Sequence, residues 1–186
     1  MVLYTIGHST RPIEEFLGLL KAQSIQALVD VRAFPGSRRS PQFGRESLRL
    51  SLERADIEYV WMGAESGGYR KESEGLGERS PNQAWKTPGF RIYADDMLTE
   101  KFRAAAARLV ELAETKTTAY MCAEKVPWHC HRQLISDYLV SRGYEVRHMI
   151  EADKIEKHEL TKFALLRDGV LIYPPREKLA PGLPLL

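Results

Sequence analysis

"VLYTIGHSTRPIEEFLGLLKAQSIQALVDVR", residues 2–32, decides the fold. It opens on a short β-branched and aromatic run, "VLYTI" at 2–6, that stops at Gly7, and it closes on a nearly continuous apolar run, "IQALVDV" at 25–31. Apolar runs of this length without alternation mark strands buried on both faces of a parallel sheet. Between them Ile13, Phe16, Leu17 and Leu20 recur at helical spacing, with Thr10 as a candidate N-cap and Pro12 near the first turn. The segment reads strand, helix, strand.

The pattern recurs downstream. A loop with Pro35, Gly36 and Pro41 leads to a helix at about 45–55 and a strand "IEYVWM" at 57–62. Helical periodicity returns near 90, and Thr99 with Phe102, Leu109 and Leu112 marks an amphipathic helix running to about 115. Then come a strand "TTAYMC" at 117–122, a helix "RQLISDYLVSRG" at 132–143 and a strand "YEVRHMI" at 144–150. "FALLRDGVLIYPP" reads as a hairpin turning at Asp168-Gly169. This alternation predicts an α/β protein: a single three-layer domain over 1–150 with a mostly parallel, Rossmann-like sheet flanked by helices. Residues 151–186 form a C-terminal extension that carries the hairpin and packs on the same domain. Residues 63–90 are rich in Gly, Ser, Pro and charge and show no period, as a flexible insertion or flap would.

Bulk properties narrow the function classes. A chain of 186 residues that is 44% hydrophobic and 28% charged suits one folded domain and excludes a disordered chain. No apolar run approaches the roughly 20 residues of a membrane span. "MVLYTIGHST" lacks the basic start and long apolar stretch of a secretory signal, so a cytoplasmic location is expected and no membrane partner. Two cysteines in a reducing compartment do not make a stapling framework. The net charge of +2 does not announce nucleic-acid binding, but arginine outnumbers lysine 17 to 10. Six arginines lie between Arg32 and Arg54 against only Glu46 and Glu53. Arg45, Arg49 and Arg54 fit a solvated helix face, whereas Arg32, Arg38 and Arg39 read as ligand-facing, since the planar fork suits phosphate or carboxylate.

Ligands of open α/β sheets collect at the carboxyl ends of the strands. The chemically unusual residues stand there: His8 and Ser9 after the first strand, Asp30 and Arg32 at the end of the second, Cys122 and Glu124 at the end of the fourth. One cleft is expected to gather all three. In "MCAEKVPWHCHRQLI", residues 121–135, Cys122 closes a strand and Cys130 opens a helix beside His129, His131 and Arg132. A helix start and neighbouring cations favour a thiolate, so either cysteine is a candidate nucleophile, with Glu124, His131 and His8 as proton carriers. The bland alternative is packing, with Cys122 as a small hydrophobe and the His-Cys-His-Arg run as a polar helix start.

Two familiar loops can be tested directly. A cysteine-dependent phosphatase places Arg six residues after Cys; here those positions hold Trp128 and Ser136, so that loop is absent. The strand, Cys, loop, helix layout with "LVDVR" upstream resembles rhodanese-like sulfurtransferases, but "AEKVPWH" has no glycine and Pro127 has no N–H to offer a persulfide. Cys, seven residues, Cys-His matches no standard zinc motif, so no metal and no cofactor are expected. For ligand binding the candidates are Ser9, Asp30 and Arg32 as a clamp or ion pair, Ser37 and Arg38 in a proline-bounded loop, Gly67, Gly68 and Tyr69 in "SGGYRK", and Arg132.

"TIGHST", "LVDVRAFPGSRRSPQF", "IEYVWMG", "MCAEKVPWHCHRQLI" and "GYEVRHMI", in this order, resemble the Domain of Unknown Function 488 family over residues 2–150. The resemblance implies an α/β domain whose cleft is lined by His8, Ser9, Asp30, Arg32, Ser37, Arg38, Cys122, Glu124, Cys130, His131 and Arg132; it implies no reaction. The residues themselves point first to an enzyme, a cysteine-dependent transferase or hydrolase whose partner is an anionic small molecule of nucleotide or nucleic-acid type, held by Arg32, Arg38 and Arg132. A non-catalytic nucleic-acid-binding module is the alternative class. A redox or metal sensor using the cysteine pair is the third.

Overall fold

A computed structural model describes residues 1–36, 39–175 and 177. Five parallel strands form the sheet: β1 (Val2–Gly7), β2 (Ala27–Asp30), β3 (Glu58–Trp61), β4 (Thr118–Cys122) and β5 (Glu145–Glu151). A sixth strand, β6 (Lys154–Lys157), turns back antiparallel along the β5 edge, giving the order β3-β2-β4-β1-β5-β6. β6 carries the charged word "KIEK", which has no apolar run to betray it in the sequence. Each apolar run read as a strand is one, and the hairpin β7 (Leu165–Arg167) and β8 (Val170–Ile172) turns at Asp168 and Gly169. Both turn residues have positive φ, 49° and 74°, the geometry a two-residue hairpin turn demands.

Helices cover both faces, and the alternation of side chains along each strand decides which residue meets which helix. Ile6, Leu28, Ala119 and Met121 face α1 (Ile13–Ala22) and α2 (Arg45–Glu53), where Phe16, Leu20, Leu48 and Leu52 bury themselves. Leu3, Val29, Tyr120 and Cys122 point the other way, into a core with α4 (Pro88–Asp96), α5 (Glu100–Thr115) and α6 (Arg132–Ser141). The periodicity near 90–115 is thus two helices, and Thr99 caps the second by accepting from the Phe102 backbone N–H at 3.2 Å. Thr10 does not cap α1. Its N-cap is Pro12, and the buried Arg11 beside it donates instead to the carbonyls of Gly7 and Ile150.

Residues 63–90, read as a flexible insertion, hold a short helix α3 (Gly63–Ser66) and two 3-10 turns. They have no apolar period because buried polar groups tie them instead. Asp95 accepts from the Leu76 backbone, Ser80 Oγ and Asn82 Nδ2, and Arg70 pairs with Asp96 at 2.7 Å. The C-terminal extension packs on the same body: Ala164, Leu171 and Tyr173 join the core under α6. Among the described residues no helix is long and apolar enough to cross a membrane.

A second tie is polar. Arg132 donates to Thr5 Oγ1 (2.7 Å), Thr5 Oγ1 lies 3.3 Å from His148 Nδ1, His148 Nε2 lies 2.9 Å from His158 Nδ1, and His158 Nε2 lies 2.9 Å from Asp137 Oδ1. A guanidinium can only donate and a carboxylate can only accept, so every link must point one way. Both imidazoles are then neutral with hydrogen on Nε2. Burial first, and the neighbouring His158 and Arg132 next, push His148 down to about 3, in keeping with that assignment. Tyr173 O–H and the Thr161 backbone N–H complete the set of donors to Asp137.

Candidate active site

At the carboxyl edge of the sheet the ends of β1, β2 and β4 meet as expected, but their side chains fall on two faces. On the α1–α2 face Asp30, fully buried, grips Arg32 in a two-point ion pair with contacts of 2.9 and 2.6 Å, and takes a further bond from Tyr59 O–H at 2.8 Å. His8 stacks on Phe43 with ring centroids 4.3 Å apart. Its Nδ1–H donates to the Ser9 carbonyl at 2.8 Å, and its Nε2 accepts from Arg32 at 3.2 Å. Burial, reinforced by the Arg32 charge, lowers His8 to about 4, so the ring is neutral near pH 7 and its lone pair is already engaged. Of the two readings of Asp30 and Arg32, clamp or ion pair, the contacts are those of the internal ion pair, with Arg32 engaged by its neighbours.

On the opposite face lies a cavity of about 290 Å³. Phe90, Tyr93 and Leu134 give it apolar walls, and Cys122, Cys130 and His131 line its thiol-bearing end. Glu124 and His129 stand exposed at its mouth. His8, Arg32 and Arg132 do not line it. The reason is register: Asp30 pairs with Met121, so the strand positions that aim Cys122 at α6 aim Asp30 the other way.

His131 stands between the two thiols and the end of β2. Its Nε2 meets the carbonyl of Val31 at 3.0 Å, and a carbonyl can only accept, so the hydrogen is on Nε2 and Nδ1 is left toward the sulfurs. Nδ1 lies 3.6 Å from Cys130 Sγ and 3.9 Å from Cys122 Sγ. The first backbone N–H of α6, that of Arg132, donates to Cys130 Sγ at 3.4 Å. Arg132 itself is wholly buried and donates to the carbonyls of Glu124 and Lys125, so it shapes the loop 123–130 and places a fixed positive charge behind the thiols. Burial opposes ionisation of Cys130, but the Cys122 thiol, His131 and Arg132 together hold it well below the ordinary thiol value. Cys130 beside it, and burial, push Cys122 up. The surroundings therefore favour ionisation at Cys130 over Cys122.

The remaining sequence candidates fall into place around this core. Gly68 lies so close to the His131 ring that a Cβ there would overlap Nδ1, while Gly67 packs on Ala33. Gly68→Ala should therefore displace the ring and slow alkylation of Cys130 by roughly tenfold, a rate measured by mapped iodoacetamide labelling. Gly18→Ala, whose Cβ meets nothing within 4 Å, should leave the rate unchanged. Tyr69 is exposed and meets Phe34 edge-on at 5.7 Å. Ser9, at φ 49°, bonds through its backbone to Ala123 rather than capping a helix. Ser37 and Arg38 lie outside the described residues. The sequence reading missed Phe90, Tyr93 and Leu134, whose only signal was an amphipathic period shared with ordinary core, and the His148–His158–Asp137 chain, whose members are far apart in sequence.

A family model described as "Domain of unknown function DUF488" matches residues 12–139. The chain belongs to the DUF488 family. The match falls inside the 2–150 span of the sequence words and ends within α6. No curated protein and no solved structure matches the chain. Most of the DUF488 cleft lies within the matched span, including both cysteines and His131, whereas His148, His158 and Tyr173 lie beyond it. Among the described residues, one group of soft ligands is close enough to hold a metal ion: Cys122 Sγ, Cys130 Sγ and His131 Nδ1, all within 4.8 Å of one another.

Proposed function

We propose that this DUF488 protein is a cysteine-dependent transferase or hydrolase with Cys130 as its nucleophile. The observation that carries the reading is the orientation of His131: its Nε2–H is committed to Val31 O, and Nδ1 faces Cys130 Sγ at 3.6 Å while the Arg132 N–H supports the same sulfur. A nucleophile, a base and a group that orients the base are the three parts such catalysis needs. The thiolate attacks an electrophilic centre of the substrate, and the leaving group departs with the proton from Nδ1. Water or a second acceptor then displaces the sulfur, returning its own proton to His131.

The cavity also suggests what the substrate is. Its walls are apolar, its one charged lining residue is the acidic Glu124, and Arg32 and Arg132 are bound up elsewhere. These features favour a small, uncharged and partly apolar electrophile over the anionic ligand the arginine-rich sequence suggested. Metal-free, reduced protein treated with iodoacetamide should carry the adduct on Cys130 first, and His131→Gln should slow this by roughly 10- to 100-fold. Relative to free cysteine, iodoacetamide should outpace the anionic iodoacetate. First labelling of Cys122, or two inert thiols, would overturn the nucleophile; a preference for iodoacetate would overturn the uncharged substrate.

A further inference from the structure

We infer that Cys122, Cys130 and His131 form a binding site for a soft divalent cation of the Zn²⁺ class, and that the bound ion masks the nucleophile. The inference rests on the Cys–His site just proposed but not on its reaction. Two thiolates and one imidazole nitrogen are the ligand types such ions select. The Cys130–His131 and Cys122–His131 separations, 3.6 and 3.9 Å, are those of neighbouring ligands on one tetrahedral ion, since Zn–S is about 2.3 Å and Zn–N about 2.0 Å.

Two further observations point the same way. His131 spends its distal N–H on a backbone carbonyl, Val31 O at 3.0 Å, which is how metal-bound histidines are held in one tautomer and one ring orientation. The Arg132 backbone N–H on Cys130 Sγ would stabilise a metal-bound thiolate as it does a free one. In the sequence the cysteine pair supported a metal sensor only as a third reading, because the usual zinc signatures place ligands in close pairs, whereas here a strand end and a helix start converge in space. Three ligands leave a fourth position, and the cavity bordered by Glu124 and His129 supplies room for water or a small ligand there. Binding displaces the two protons that the two sulfurs and His131 Nδ1 hold between them: one M²⁺ enters and two H⁺ leave. An occupied site has no free sulfur lone pair to attack with, so metal loading and thiol chemistry exclude each other.

The test is titration of metal-free protein, kept reduced by a phosphine, with Co²⁺. One equivalent should produce a thiolate-to-cobalt charge-transfer band and the strong visible bands of a four-coordinate site, and Zn²⁺ should bleach both. Cys122→Ser, Cys130→Ser and His131→Gln should each weaken binding beyond the roughly 10–100-fold that a lost outer-shell partner costs. In the unaltered protein, where folding is not in question, Zn²⁺ should abolish iodoacetamide labelling of both cysteines. Absence of the charge-transfer band, or undiminished labelling in saturating Zn²⁺, overturns the metal site. The two readings separate cleanly: a failed titration with fast Cys130 labelling removes the metal alone, and a successful one with metal-free Cys130 inert removes the nucleophile alone.

Discussion

Asp137→Ala should destabilise the protein by roughly 3–5 kcal/mol, because it strands two buried donors and a partly buried one at once. Asp137 is fully buried in α6 and accepts from His158 Nε2–H, the Thr161 backbone N–H and Tyr173 O–H, each at 2.9 Å. Asp137→Asn keeps one oxygen for His158 and Thr161, and the Tyr173 hydroxyl can rotate to accept from the new amide, so its cost should be near 1–2 kcal/mol. Urea unfolding of the two variants measures the difference. A loss below about 1 kcal/mol in the alanine variant would mean that the apolar packing of Leu171 and Tyr173, not the carboxylate, holds the extension down.

Acid should weaken the fold well above the pH at which carboxylates titrate. His148 is neutral in the folded protein, its pKa lowered from 6.5 to about 3, chiefly by burial and then by the neighbouring His158 and Arg132. The unfolded chain takes up that proton near 6.5 while the folded chain does not, so the stabilisation is complete above pH 6.5 and is lost as pH falls toward 3. Each unit in that window costs about 1.4 kcal/mol, which brings the loss from this one residue to roughly 3 kcal/mol by pH 4. His148→Gln does not titrate, and a plot of its unfolding free energy against pH should lose that slope. A variant with the slope unchanged would show that His148 already bears a proton in the fold.

The sequence displayed the fold more fully than the site, and particular residues show why. Strands of a parallel sheet are apolar on both faces, so "VLYTI" and "TTAYMC" stand out without knowledge of their neighbours. β6 stands at an edge, pairs on one side only and is charged, so nothing marks it. Site candidates at strand ends were equally visible, since Cys122, Cys130 and His131 sit together in ten residues. What the sequence could not show was the face each one takes. A one-residue difference in strand position puts Asp30 on the opposite face of the sheet from Cys122, and of the two readings of Asp30 and Arg32 it leaves the ion pair, buried against Tyr59. His148 reads as one more polar residue in a mixed strand; its meaning lies in His158 and Asp137, which only folding brings beside it.

The one-way hydrogen-bond chain also orders events in time. A ribosome releases the chain from its N-terminus, so α6, with its carboxylate, emerges before His158, Thr161 and Tyr173, which supply every donor that carboxylate uses. Until they arrive, seating α6 against the sheet means burying an unanswered charge, and the helix that carries the Arg132 N–H cannot settle behind Cys130. An incomplete translation product thus carries both cysteines yet no assembled centre.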